Sequence, residues 1–444
     1  MSLAEFAVEK ALSKGATEAE VYVQKSRTIQ VEFAEEIESF RVTESIGMSL
    51  RVALGKKIAM YSTSILNEDE ILEAADRAVK IAKVAQEDPD WRHLNKRFGS
   101  TPVEGYYDET IKDLSYEEII DALTSAVVGM KEYDKRVTPT RGILGISTSK
   151  ISVMNSYGEE CERKETNVTV WMRAKAEDSG KKGTGTEYQQ TRFWREINFR
   201  NLAIKTAEKV VNFLEAKPIP SGKMSTVIRN QIFANILGVI LSGPINADWV
   251  QKGRSPLSNK LETQIASENI TIVDDGTVKG GWLTRPFDDE GHPTQRTIIV
   301  EKGVLKNYIY DTYTALKENR KSTGNALRRR YWMAPQPSPS NLILQPGKTS
   351  VEEMIKETDR GIYVEETIGE WLSNPVSGNL NATVTHGYLI ENGEFKEPIK
   401  GVVIAGNFYE LLKGGIEIIG NDLRNVGGNY SPTVKIAELT IAGK

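Results

Sequence analysis

Cysteine is nearly absent from this sequence. Cys161 is the single cysteine among 444 residues, which excludes an internal disulfide and a metal site built from several thiolates. A chain that makes no internal disulfide fits a reducing compartment, so we expect a cytoplasmic location. The histidines His93, His292 and His386 are far apart, and no His-Glu-x-x-His pattern occurs. Their spacing therefore gives no support to a zinc site within this chain.

Long apolar runs and an excess of one charge are also missing. No apolar stretch approaches the roughly 20 residues of a membrane-spanning helix, and the first residues lack the basic and apolar blocks of a signal peptide. Lys and Arg total 57 against 61 Asp and Glu, so neither membrane insertion nor nucleic-acid binding is expected. No Gly-x-x-x-x-Gly-Lys-Ser/Thr phosphate loop is present. The length predicts two or three domains of an ordinary globular protein.

Two stretches of the first half repeat the order helix, several strands, helix. Residues 1–87 open with apolar residues at helical spacing over Leu3–Leu12, and Asn67 is a predicted cap of the closing helix. Residues 114–216 open with the capping-box pattern that starts at Ser115. β-Branched and aromatic residues predict strands at Glu20–Gln24, Thr28–Phe33, Ile37–Val42, Met48–Leu54, Lys57–Thr63, Ile143–Ser147, Lys150–Asn155, Thr166–Ala174 and Thr184–Gln190.

This repeat predicts a duplicated α+β domain over residues 1–216, although the same order also occurs in unduplicated α+β proteins. Residues 88–113 are predicted to form a surface connection between the two units. Paired prolines and a glycine in Lys217–Gly222 predict the boundary of a second domain, residues 222–444. This domain is predicted to be β-rich, with a hairpin around Gly303, a type I′ turn at Asn392-Gly393 and a helix at Asn230–Leu241.

Two polar segments of the second domain could carry chemistry. Three consecutive carboxylates, Asp288-Asp289-Glu290, precede His292 and could bind a cation or supply a general base. A capped turn, in which Asp side chains accept backbone N–H groups, is the interpretation we favour. The loop Ser322–Trp332 contains three arginines that could grip an anion, but it offers no base to a serine nucleophile. An open sheet edge of this domain could also hold an extended peptide.

Several segments, taken together in their order and spacing, resemble the TldD/PmbA family, also called the TldD/TldE family and earlier "modulator of DNA gyrase". They are Val273–Gly276, Phe287–Arg296, Gly303–Leu305, Tyr310-Asp311, Ser322–Asn325, Pro337–Asn341, Gln345–Gly347, Gly387–Gly393, Lys400–Asn407 and Gly420–Asp422. The first half resembles the family mainly in layout. The resemblance implies a barrel-like second domain, a dimer around a peptide channel, and metallopeptidase activity toward short or unfolded peptides.

The zinc motif of that family has no counterpart here. In its zinc-bearing subunits, a His-Glu-x-x-x-His helix precedes a segment that resembles Ala247–Ser255. Counting back from this segment, the histidines would fall at Gly238 and Gly243 and the glutamate at Val239. The family's cysteine ligand would fall at Val426–Gly428, where no cysteine stands. The resemblance therefore implies a PmbA/TldE-like subunit without its own zinc.

We expect a non-catalytic chain without a cofactor, paired with a TldD-like zinc-bearing paralogue or with itself. Contact with a peptide or partner is predicted at Asp288, Asp289, Glu290, His292, Arg296, Ser322, Thr323, Asn325 and Arg328. One alternative is a stand-alone homodimeric hydrolase that holds a different metal at the acidic segment. A regulatory interaction protein, in line with the older family label, is the other.

Overall fold

The N-terminal part is one antiparallel six-stranded sheet with four helices on one face. The structure, a computed structural model, describes residues 2–158 and 160–444. The strands are β1 (Glu18–Phe33), β2 (Ile37–Leu54), β3 (Lys57–Thr63), β4 (Val137–Asn155), β5 (Glu160–Asp178) and β6 (Lys181–Thr191). The helices are α1 (Leu3–Ser13), α2 (Glu68–Val84), α3 (Tyr116–Tyr133) and α4 (Phe199–Asn212).

Both predicted units are present, and each contributes half of this sheet. The strand order is β3-β2-β1-β4-β5-β6, with β1 and β4 paired in the middle. The prediction of helix, strands and helix in each unit is confirmed. Several strands predicted as separate are continuous: β1 covers both Glu20–Gln24 and Thr28–Phe33, for example. The polar residues that interrupt the pattern keep their backbone hydrogen bonds to the neighbouring strands.

Local capping fixes where the helices begin. Asn67 Oδ1 accepts the N–H of Glu70 at 2.8 Å, and Ser115 Oγ accepts the N–H of Glu118 at 3.1 Å; both caps were predicted. α1 and α2 cover one end of the sheet, where Val21 and Leu50 are buried, while α3 and α4 cover the other end. The sheet thus carries two separate apolar cores on the same face.

The connection between the units, residues 88–113, is exposed or half-buried over most of its length, in line with the predicted surface connection, but a few buried residues anchor it. Trp91 and Leu94 are buried, and the N–H of Thr101 donates to the carbonyl of Pro286 at 2.9 Å. The connection therefore helps to join the sheet to the second domain. Its prolines and glycines suggested exposure, but its apolar residues find partners that lie far away in the sequence.

The second domain contains a closed five-stranded barrel, which confirms the barrel-like expectation. Its strands, in order around the barrel, are β14 (Arg360–Ile368), β7 (Gly222–Ile228), β21 (Val434–Ala442), β17 (Val402–Asn407) and β15 (Asn379–Glu391). The pairing of β14 with β15 closes the ring. Two further strands are attached to it: β16 (Glu394–Ile399) and β18 (Ile416–Ile419).

A six-stranded mixed sheet lies beside the barrel, in the order β10-β9-β8-β13-β20-β19. The remaining strands are β8 (Ile272–Asp275), β9 (Arg296–Glu301), β10 (Val304–Leu305), β11 (Ala326–Leu327), β12 (Gln336–Pro337), β13 (Leu342–Leu344), β19 (Arg424–Val426) and β20 (Asn429–Ser431). The helices are α5 (Asn230–Leu241), α6 (Ala247–Gln251), α7 (Thr312–Lys317), α8 (Val351–Lys356) and α9 (Phe408–Glu410). The predicted α5 and the hairpin around Gly303 are confirmed.

The tight turn between β15 and β16 follows from its sequence. Asn392 and Gly393 have φ values of 53° and 76°, as the predicted type I′ turn requires.

Among the described residues, no helix is both long and apolar enough to span a membrane.

Candidate functional site

The C-terminal end of α5 is the place that the family resemblance assigns to a zinc site. The helix ends just before Gly243-Pro244, and it buries an apolar face formed by Ile232, Phe233, Ile236, Leu237 and Ile240. The β19–β20 hairpin packs against α5 and includes Val426–Gly428, the expected position of the cysteine ligand. Two distant stretches of sequence, both of which the resemblance aligns with zinc ligands of the family, therefore meet in space.

The residues at this place do not fit a zinc ion. A Cβ atom at Gly238 would lie only 2.3 Å from the Nδ2 atom of Asn429, so the side chain of Asn429 fills the space of the first histidine. A Cβ at Gly243 would lie 2.8 Å from the indole ring of Trp249. Val239 supplies no proton acceptor. Across residues 2–158 and 160–444, no three His, Cys, Asp or Glu side chains are arranged to hold a metal.

A cavity of about 400 Å³ opens beside these positions. It is lined by Val239, Ser242, Gly243, Asn246, Asp248, Trp249, Leu327, Arg329, Met333, Ala334, Gln336, Pro337, Ser338, Pro339, Trp371, Ser373 and Pro375. The lining combines two tryptophans with amide and hydroxyl groups. Trp371, one of the lining residues, is 58% accessible, and Leu372, which follows it in the sequence, is 77% accessible.

The lining of the cavity offers apolar surface together with a few hydrogen-bonding groups. Among the described residues that line it, Asp248 carries the only carboxylate, and this group is 2.7 Å from Lys252 Nζ. None of the described lining residues is a histidine. Apolar walls with a few hydrogen-bonding groups are typical of sites that hold a ligand in a fixed orientation. The arrangement can therefore hold a ligand through apolar contacts and a few hydrogen bonds.

The acidic segment predicted for contact lies inside the chain, where the second domain meets the sheet. Asp289 and Glu290 are buried and face arginines of the sheet. Arg163 Nη2 is 2.5 Å from Asp289 Oδ1, and Arg51 Nη2 is 2.9 Å from Glu290 Oε1 and 2.8 Å from Glu20 Oε2. Arg328 also pairs with Glu20. We call this group of side chains the interdomain ionic cluster: Glu20, Arg51, Arg163, Asp289, Glu290 and Arg328.

Asp288 organises the turn that carries this segment. Its carboxylate accepts the N–H groups of Glu290, His292 and Ala326 at 2.9, 3.0 and 3.0 Å, which confirms the capped-turn interpretation. The imidazole of His292 bonds through Nδ1 to a neighbouring carbonyl, and burial lowers its pKa. Arg296, at the start of β9, is exposed. This geometry gives no support to a metal centre at the acidic segment.

The second segment predicted for contact, Ser322–Asn325, is also held by hydrogen bonds within the chain. Ser322 Oγ donates to the carbonyl of Tyr310 at 3.2 Å, and Thr323 Oγ1 accepts the Tyr310 N–H at 2.7 Å. Asn325 Nδ2 donates to Asp274 Oδ2 at 2.6 Å. Contact with a peptide or partner at the nine predicted positions remains a prediction. Most of these side chains already have partners within the chain, so a second molecule can reach chiefly the exposed ones.

Buried acids beside the cluster have altered proton affinities. Burial, together with the nearby charge of Glu290, raises the pKa of both Asp288 and Asp311 to about 7. Burial alone would also raise the pKa of Glu290, but the ion pair with Arg51 outweighs it and lowers that pKa. The folded chain thus keeps one ionised carboxylate beside two acids that bind protons more tightly than in the unfolded chain.

The charge of Asp311 should make stability depend on pH. Its folded pKa lies above the unfolded value of about 3.9, so its stabilising contribution is complete at low pH and is lost as pH rises through about 7. Asp311→Asn keeps the oxygen that accepts from Thr314 N and Oγ1 at 2.8 and 2.6 Å but cannot ionise. Between about pH 5 and about pH 8 we expect the variant to lose about 2–3 kcal/mol less stability than the unmodified chain.

Urea unfolding at a series of pH values measures this difference. The matched control is Asp178→Asn, because Asp178 is exposed and pairs with Arg136 on the surface. The control should follow the pH dependence of the unmodified chain. An Asp311→Asn curve that runs parallel to the unmodified one would contradict the assigned titration.

Family models of PmbA/TldA metallopeptidases match residues 19–82 (domain 1), 109–214 (central domain) and 221–443 (C-terminal domain). An uncharacterized protein of Methanocaldococcus jannaschii is 30% identical over 424 residues, 94% of each chain. Metalloprotease PmbA of Escherichia coli O157:H7 is 25% identical over 96% of this chain and 92% of its own. The crystal structure of TldE from Thermococcus kodakarensis, 23% identical, shares the fold over 100% of both chains with a TM-score of 0.91.

Proposed function

The chain belongs to the PmbA/TldD family of metallopeptidases, and from this premise we propose that it is a non-catalytic subunit of a peptidase assembly. In this proposal a TldD-like relative carries the zinc and cuts the peptide. The present chain completes the peptide path and holds part of the substrate. The observation that carries the proposal is the Asn429 side chain in the space where the resemblance puts a zinc-binding histidine, at Gly238.

The cavity beside α5 supports the binding part of the proposal. Its tryptophans, prolines and amides suit short or unfolded peptides, whose side chains vary but whose backbone always offers the same hydrogen-bonding groups. The exposed Trp371 lines its rim, and the exposed Leu372 follows directly in the sequence. Large exposed apolar side chains of this kind commonly mark a contact with another protein. We therefore propose this rim as part of the surface that meets the zinc-bearing subunit or, in its absence, a second copy.

The remaining parts of the proposal concern place and metal. We propose that the assembly works in the cytoplasm, which agrees with the single cysteine. We further propose that this subunit binds no zinc of its own.

Co-expression with a zinc-bearing relative of the same cell tests the function. We expect the two chains to co-purify and to cleave an unfolded peptide in a chelator-sensitive manner, while this chain alone shows no cleavage. A partner whose zinc-binding histidines are replaced should still co-purify but be inactive.

On this chain, Trp371→Ala is expected to weaken complex formation or peptide binding. Trp332 is an exposed tryptophan outside the cavity lining, so Trp332→Ala should change either property much less. Chelator-sensitive cleavage by the isolated chain would contradict the proposal.

A further inference from the structure

The strip of the sheet between the two apolar cores is basic. On the face that carries the helices, Lys25 of β1 lies directly opposite Lys150 of β4, and Lys150 lies opposite Lys164 of β5. Three ammonium side chains thus stand in one row across three adjacent strands. Neighbouring strands are about 4.8 Å apart, and like charges directly opposite each other destabilise a sheet.

This row forms the floor of an open groove of about 510 Å³. α1 and α2 cover the sheet on one side of it and α3 and α4 on the other. The lining residues are Lys25, Ser26, Arg27, Glu44, Ser45, Ile46, Tyr107, Thr148, Ser149, Lys150 and Lys164. Four of them are cations and one is an anion, although the chain as a whole has a net charge of −4.

The groove's own groups neutralise little of this charge. Lys150 has a surface partner, with its Nζ 2.7 Å from Glu162, and Arg27 is 3.8 Å from Glu44. Lys25 has no carboxylate partner in the part of the chain that the structure describes. Lys164 lies over the ring of Tyr107, 5.6 Å from its centroid. Such exposed pairs contribute little stability. Repulsion within the row of lysines therefore destabilises the sheet unless a negatively charged ligand binds there.

We propose that this groove binds an extended peptide segment rich in Asp or Glu. The main-chain N–H groups of these strands are used in the sheet ladder, so a small anion would find no backbone donors on the floor. A ligand with several separate carboxylates can pair with each lysine in turn. Side chains on one side of an extended peptide recur about every 6.6 to 7 Å, a spacing that flexible lysines can follow. Ile46, Tyr107 and the lysine stems provide apolar contact for the peptide between its charges.

This site is distinct from the cavity beside α5 and does not depend on the proposed pairing. The residues that contact the second domain, such as Glu20 and Arg163, lie on the opposite face of the same strands. The groove therefore faces away from the interdomain ionic cluster.

Fluorescence anisotropy on the full chain tests the inference. The probe is a labelled ten-residue peptide with Glu at alternate positions, and a peptide with Gln at those positions is its control. We expect the Gln peptide to bind at least about tenfold more weakly, and affinity for the Glu peptide to fall steeply with salt. The triple variant Lys25→Gln, Lys150→Gln, Lys164→Gln should lose at least about tenfold in affinity.

A matched triple variant, Lys80→Gln, Lys223→Gln, Lys396→Gln, removes the same charge from exposed lysines elsewhere and should change affinity less than about twofold. Carbodiimide cross-linking on the unmodified chain provides a second measurement that needs no variant. It should join the Glu peptide to the three groove lysines. Equal losses in the two triple variants, cross-links confined to other lysines, or tighter binding of tripolyphosphate or single-stranded DNA than of the Glu peptide would each overturn the proposal.

Discussion

Asp289→Ala is expected to lower the free energy of unfolding by about 3–5 kcal/mol. The carboxylate is buried and is held by Arg163 at 2.5 Å, by the N–H of Arg328 at 2.6 Å and, less closely, by Arg285 at 3.4 Å. Although burial alone would raise its pKa, Arg163 and Arg285 outweigh burial and lower it, so the group is ionised. Its removal takes the ion-pair partner from the buried Arg285 and leaves Arg163 paired with Glu165 at 2.6 Å. A buried guanidinium that loses its counter-charge is the most expensive outcome at such a site.

Urea unfolding of the variant at neutral pH measures this loss. Asp289→Asn, which keeps an oxygen for the Arg328 N–H but no charge, should fall between the alanine variant and the unmodified chain. Asp178→Ala removes an exposed partner of Arg136 and should leave the urea midpoint unchanged. Equal midpoints for Asp289→Ala and Asp178→Ala would show that the interdomain ionic cluster does not hold the two domains together.

Gly238→Ala is expected to destabilise the chain by about 1–3 kcal/mol. Alanine usually stabilises a helix interior relative to glycine by about 1 kcal/mol, so the expected sign is reversed here. The reason is that the added Cβ would lie 2.3, 2.6 and 2.8 Å from Nδ2, Cγ and Oδ1 of Asn429. All three atoms lie beyond the Cβ of Asn429, so Asn429→Ala removes every one of them.

A double-mutant cycle isolates this contact. In the Asn429→Ala background, Gly238→Ala should become neutral or stabilising, which gives a coupling energy of at least about 1 kcal/mol. Gly129→Ala in α3 is the helical control, because its Cβ would meet only the flexible stem of Arg200 at 3.0 Å and the Arg200 carbonyl and Ile204 at 3.5 and 3.7 Å. If Gly238→Ala still destabilises the chain without the Asn429 side chain, the steric clash lies elsewhere. That result would contradict the claim that Asn429 fills the space beside Gly238.

The sequence predicted elements well where one physical signal dominates. Helix α5, the capped starts of α2 and α3, and the type I′ turn at Asn392-Gly393 each follow from local rules. The sequence failed at the middle of the long strands, where Lys25–Arg27 and Thr148-Ser149 break the apolar alternation. Alternation of apolar and polar residues indicates which side chains are buried, whereas the continuity of a strand depends on its backbone pairing. The polar strip between the two apolar cores was therefore predicted as breaks between separate strands.

The candidate site was predictable only in part. The positions that align with the family's zinc ligands could be counted from the resemblance. Asn429, whose side chain fills the space beside Gly238, lies far along the chain, and no local pattern points to it. The acidic segment was recognised as a capped turn, yet its partners Glu20, Arg51 and Arg163 were missed. Isolated charges within otherwise apolar strands are the signal that could have found them, since a buried charge requires an opposite charge nearby.

The order of strands around the barrel has a consequence for how the protein is made. β21, the last strand of the sequence, fits between β7 and β17. During synthesis, both neighbours have therefore left the ribosome while the strand that joins them is still missing, and each presents unpaired backbone groups. Until β21 emerges, the nascent chain has two unpaired strand edges, those of β7 and β17. Release of a prematurely terminated product would make that exposure permanent and favour intermolecular strand pairing.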